Sequence, residues 1–145
     1  IPMTDYLKGS TIVDAAMLRG EFSAVDVLRD ARVTLHDDAF LDMNGKLRDF
    51  LQEIRDMRPM PEYTVDSKDC DKFVRIMLGR IAECIDDLPE VPFVAWLNHW
   101  PVKGDFHAAM LARDNGKLWY YEPQIVRVEL APASERVRQA VDIWG

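Results

Sequence analysis

A chain of 145 residues has the length of one ordinary domain, and 48% hydrophobic with 30% charged residues is the balance of a globular protein, which excludes a disordered or collagen-like chain. At this length folding buries roughly 70% of the unfolded surface, enough for a real core. With 18 Lys+Arg against 25 Asp+Glu the net charge is -7, so a phosphate backbone is repelled unless a local basic patch overrides the total; the sequence shows none, and no nucleic-acid partner is expected.

The acidity is concentrated early: residues 1–66 carry 8 basic and 13 acidic side chains, -5 of the total. The start, Ile1-Pro2-Met3-Thr4-Asp5, has neither a basic region nor an apolar core, so no signal peptide is expected and the compartment stays open. Ser23 with Asp26 predicts a helix start, followed by the apolar stripe Val27, Leu28 and Ala31. His36-Asp37-Asp38 reads as a solvated acidic loop, and Asn44-Gly45 as a break. Leu47, Phe50, Leu51 and Ile54 then recur at i, i+3, i+4 and i+7, an amphipathic helix that Pro59 and Pro61 terminate. Residues 1–61 are therefore expected to form an acidic, mainly helical N-terminal region, and 62–145 a core packed with it as one compact unit.

The core changes character. Asp66 and Ser67 are N-cap candidates for a helix over 68–85, with Phe73, Val74, Met77, Leu78, Ile81 and Ile85 on one face. Phe93 to Asn98 and Phe106 to Ala112 read as buried strands. The longest apolar run, Val91 to Leu97, is far short of the roughly 20 residues of a membrane-spanning helix, so no membrane partner is expected. Asp114-Asn115-Gly116 is a hairpin turn, from which Lys117 to Gln124 returns as a third strand continuing to Leu130. Val137, Ala140, Val141 and Trp144 predict a closing helix. The order suggests an α+β fold, one helix packed on a small antiparallel sheet.

Chemistry centres on two cysteines. On one helix, Cys70 and Cys84 lie about 21 Å apart and cannot bridge. Cys70 falls in the first turn, where unpaired backbone N–H groups and the helix dipole lower a thiol's pKa; equally, a small side chain sharing a face with Phe73, Val74 and Met77 can be plain core. The hairpin adds a base. An Asn115-Gly116 turn pairs residues summing to 231 and sets His107 opposite Gln124, whereas an Asp114-Asn115 turn sets it opposite Glu122. A carboxylate or amide facing an imidazole fixes its tautomer. His99, in a loop-like Asn98-His99-Trp100-Pro101, is the rival base. Trp96, Trp100, Trp119 and Tyr120 could wall a groove or pack across strands.

The pieces Asp69-Cys70-Asp71-Lys72-Phe73, Phe106-His107-Ala108 and Tyr121-Glu122-Pro123-Gln124, spaced 37 residues from Cys to His and 15 from His to Glu, resemble the compact papain-like cysteine peptidase domain found at the C-terminus of a fungal ricin-type agglutinin and in bacterial and phage relatives. The resemblance covers roughly residues 62–130. It implies a papain-like fold and a hydrolase cleaving a peptide or amide bond through an acyl-enzyme, with Cys70 as nucleophile, His107 as general base and Glu122 orienting it. Gln124, Tyr63 and Trp96 would bind a peptide or protein substrate. No cofactor is required for the chemistry, but the agglutinin is activated by calcium, for which Asp69 and Asp71 are the candidate ligands. One departure stands out: the upstream glutamine, Gln52, lies on the amphipathic helix, leaving the second oxyanion donor unassigned. The alternative is an inactive domain of this fold serving as a structural or interaction module, for example in a phage particle, with homo-oligomerisation open.

Overall fold

The computed structural model describes residues 3–61, 70–85 and 88–145. In chain order the elements are α1 (Thr4–Leu7), β1 (Thr11–Asp14), α2 (Ala15–Ser23), β2 (Arg32–Thr34), β3 (Ala39–Asp42), α3 (Leu47–Met57), α4 (Cys70–Cys84), β4 (Val91–Pro92), β5 (Val94–Pro101), β6 (His107–Asp114), β7 (Lys117–Tyr121), β8 (Leu130–Pro132), α5 (Ala133–Arg136) and β9 (Val137–Trp144). A six-stranded sheet runs β2-β9-β5-β6-β7-β8, antiparallel except for the parallel β2/β9 pair, and a three-stranded sheet runs β1-β3-β4. The class is mixed α+β, as expected.

The large sheet has a core on each face because its strands alternate. Val94, Ala108, Met110, Ala112 and Tyr121 meet Val74, Met77 and Ile81 of α4 and Phe50, Leu51 and Ile54 of α3. Ala95, Leu97, Ala109, Leu111 and Ile143 point the other way, onto Leu18 and Phe22 of α2, with Leu28, Phe40 and Phe93. The small alanines of β6 let α4 lie close on the sheet.

The β6–β7 register pairs Met110 with Tyr121 and Asp114 with Lys117, the two-residue Asn115-Gly116 hairpin. Both turn residues have positive φ, 54° and 73°, which matches the right-handed strand twist. Asp42 pins this turn. Only 2% exposed, its carboxylate accepts from Asn115 N (2.7 Å), Gly116 N (2.9 Å), Asn44 N (2.8 Å) and the Arg113 guanidinium, which also forks onto Glu21.

Several expectations are corrected. The N-terminal region is not helix alone: beside α1, α2 and α3 it holds β1, β2 and β3, and β2 joins the large sheet through β9. Ser23 ends α2 rather than starting a helix, its Oγ donating to Arg19 O, while Asp14 is the N-cap that accepts from Met17 N. The third strand stops at Tyr121, and 130–132 is a separate strand, β8. The closing helix is strand β9, preceded by the short α5. Asp66 and Ser67 lie outside the described residues.

Candidate functional site

Cys70 opens α4 and sits half-buried at the margin of the α4-side core. Its Sγ accepts a hydrogen bond from Ala108 N at 3.4 Å, which anchors the helix start to β6. His107, at the start of β6, donates through Nε2 to Glu122 Oε2 at 2.5 Å, and Tyr120 Oη donates to the same carboxylate oxygen at 3.0 Å. Glu122 Oε1 accepts from Gln124 N. The register sum of 231 carries His107 toward Gln124, but β7 ends at Tyr121, so the chain turns and Glu122 reaches His107 instead. Among the described residues no hydrogen bond joins Cys70 to His107. His107 pairs with His99 on β5, and Cys70 lies within electrostatic reach of Tyr120, whose hydroxyl shares the Glu122 carboxylate oxygen with His107.

His99 is a strand residue, not a loop residue. It is fully buried, neither ring nitrogen makes a well-formed hydrogen bond among the described residues, and its ring lies 5.8 Å from that of His107 and 5.3 Å from that of Tyr120. Burial, reinforced by His107, pushes its pKa down to about 4, so it is neutral at physiological pH. Burial and then Glu122 raise the Tyr120 phenol. The Asn98-His99-Trp100-Pro101 punctuation reads as a loop and masks the strand conformation of His99, although its offset from Trp96 and Asn98 places it on the opposite face.

Gln52 is committed elsewhere: its Nε2 donates to Asp56 and its Oε1 accepts from Val128 N. Gln124 lines a cavity of about 820 Å³ with Arg55 and Phe73. Asp71 pairs with Arg75 at 3.8 Å, and Tyr63 and Asp69 lie outside the described residues. Among the described residues no three His, Cys, Asp or Glu side chains stand together as a metal site. No described helix is long and apolar enough to cross a membrane.

Trp96 belongs to a second site. α4 covers the β6 side of its sheet face, and toward the β9–β2 edge Trp96, Asn98, Asp142, Trp144, Arg32 and Thr34, alternate residues of three adjacent strands, line a groove of about 370 Å³ walled by Arg75. Its polar floor is fixed: Trp96 Nε1 donates to Asn98 Oδ1 (2.7 Å), Asn98 Nδ2 to Asp142 Oδ2 (3.2 Å) and Arg32 Nε to Asp142 Oδ1 (2.9 Å). The Arg75 guanidinium lies 5.0 Å from the Trp96 ring centroid, and Trp144 is 51% exposed. Trp100 packs at a tilt against Phe106, Trp119 donates to Asp114 O and Tyr120 is buried, so none of these joins that groove.

No protein-family model and no curated protein matches the sequence. Among the solved structures that match its fold are PSL1a in complex with E64, at TM-score 0.71 and 16% identity over 92% of this chain and 50% of that one, and Polyporus squamosus lectin bound to the human-type influenza-binding epitope Neu5Aca2-6Galb1-4GlcNAc, at TM-score 0.72 and 18% identity over 92% and 49%. The likeness is one of fold. The chain spans about half the length of the structures it matches. A fungal lectin agrees with the expected kinship to a fungal agglutinin. The expected function is corrected on this finding: the structural neighbour is a lectin, solved with a bound glycan, which speaks against the reading as a cysteine protease with a thiol nucleophile and catalytic triad.

Proposed function

We propose that the chain is a non-catalytic binding module whose groove between Trp96 and Trp144 takes an oligosaccharide. The observation that carries this reading is the exposed Trp144 ring beside a row of pre-oriented planar polar groups, Asn98, Asp142 and Arg32. Sugars present apolar C–H faces and a rim of hydroxyls, so an aromatic platform flanked by fixed donors and acceptors suits them. Because the floor's hydrogen bonds hold its rotamers beforehand, little ordering entropy is lost on binding. The glycan on the lectin neighbour supports the same class of ligand.

In this reading the papain-like resemblance concerns architecture, and Cys70, His107 and Glu122 act as positioning groups. Ala108 N on Cys70 ties α4 to the sheet, and the Glu122 carboxylate ties β6 to the segment after β7. The test is a glycan array followed by calorimetry with wild type, Trp144→Ala and Cys70→Ala. Binding lost in Trp144→Ala and kept in Cys70→Ala is expected. Absence of glycan binding, or peptide turnover that disappears in Cys70→Ala, would overturn it.

A further inference from the structure

The large cavity beside α3 brings together three arginines that are far apart in sequence. Arg48 and Arg55 project from α3 seven residues apart, about two turns, and Arg127 comes from the segment after β7. Arg55 is only 8% exposed. Its Nη1 donates to the buried Tyr121 hydroxyl at 3.0 Å, and among the described residues no carboxylate pairs with it. A buried guanidinium without a counter-charge is costly, which is why such groups are ordinarily paired. Asp56, the carboxylate on the cavity wall, accepts from Gln52 Nε2 at 3.0 Å, and among the described residues Arg48 forms an ion pair with the exposed Asp49 alone. The positive field extends further: Arg80, anchored on Arg58 O and Pro59 O, has its pKa lowered by burial and then by Arg58 and Arg55.

We infer that the cavity lined by Arg48, Arg55 and Arg127 is a binding site for an oxyanion group, a carboxylate or a phosphate, that supplies the counter-charge Arg55 lacks among the described residues. Arg55 keeps further N–H donors beyond the one given to Tyr121, and a guanidinium matches the two oxygens of either group. Gln52, fixed at both ends by Asp56 and Val128 N, holds the wall in shape. A net charge of -7 repels anions at long range, but at physiological ionic strength that repulsion is screened beyond about 8 Å, so the local cations decide. The site is separate from the Trp96 groove and does not depend on the carbohydrate reading.

The test is calorimetry on the full chain with inorganic phosphate and, separately, with succinate, ionic strength being held constant with potassium chloride. Saturable binding in either arm is expected, weakened about tenfold or more in Arg55→Met and in Arg127→Ala. Binding of phosphate alone assigns a phosphate ligand, and binding of succinate alone a carboxylate. Arg127 is exposed, so its variant keeps the fold and decides the matter even where Arg55→Met does not fold. No saturable binding of either probe, or binding unchanged in Arg127→Ala, overturns the inference.

Discussion

Asp42→Asn is the substitution that isolates the pin beneath the hairpin. The amide keeps the volume, so no cavity forms, and an oxygen remains for Asn44 N and Asn115 N. The other oxygen, which accepts from Gly116 N and Arg113, becomes a donor facing donors. One charge-assisted bond is worth about 1.5–3 kcal/mol and a neutral one about 1 kcal/mol. Arg113 keeps its fork on Glu21, at 2.8 and 2.9 Å, so it is not orphaned, and the loss stays at the low end of the 3–5 kcal/mol of a broken buried pair, about 3 kcal/mol. At roughly 3 °C per kcal/mol for this length, melting falls by about 10 °C. The effect depends on pH. Burial alone would raise the Asp42 pKa, but three backbone N–H groups and Arg113 outweigh it and the net shift is downward. A depressed carboxylate stabilises above its unfolded value, near 4, and that stability drains away as pH falls through the folded value, so the gap between wild type and variant closes in acid. Urea denaturation at pH 7 and pH 3 measures both. A variant within 1 kcal/mol of wild type at pH 7 would refute the reasoning.

Other expectations follow from the same interactions. His99 is neutral when folded, with a pKa near 4 against about 6.5 unfolded, so the unfolded chain binds the extra proton; stability should fall by about 1.4 kcal/mol per pH unit between these values. Urea titrations at pH 7 and 5 should show this slope in wild type and not in His99→Phe. Gly116→Ala places a Cβ at φ 73° and should cost about 1–2 kcal/mol by thermal melting, whereas Gly79→Ala, within α4, should stabilise slightly. Cys70→Ala removes the acceptor for Ala108 N and a partly buried sulfur; about 1 kcal/mol of stability should go, with no change in glycan affinity by calorimetry.

Where the apolar pattern follows a single period, residues alone locate the elements. The α3 stripe of Leu47, Phe50, Leu51 and Ile54 is buried throughout, and Phe73, Val74, Met77 and Ile81 of α4 likewise. The Asn115-Gly116 dipeptide sets the β6–β7 register because its positive-φ residues suit a two-residue turn. The strand β9 misleads for a physical reason. Its buried residues, Val137, Ala140 and Ile143, fall three apart, a spacing that imitates a helix, because register shifts against β5 at Asn98/His99 and Trp100/Pro101 insert an extra residue between inward-facing ones. The groove was legible only in Trp96, since Trp144 belonged to that supposed helix and Arg32 to a region without assigned strands. The arginine cluster could not be read at all, because Arg127 meets Arg48 and Arg55 only through the tertiary fold.

The central claim, oligosaccharide binding in the groove, is tested most directly by NMR titration of the 15N-labelled chain with the trisaccharide Neu5Aca2-6Galb1-4GlcNAc and with its unsialylated disaccharide, following the Trp indole N–H signals. Binding in the groove predicts saturable shifts of Trp96 and Trp144 with at least one of the two sugars and none in Trp144→Ala. Indole signals that stay put at millimolar concentrations of both sugars would contradict the account.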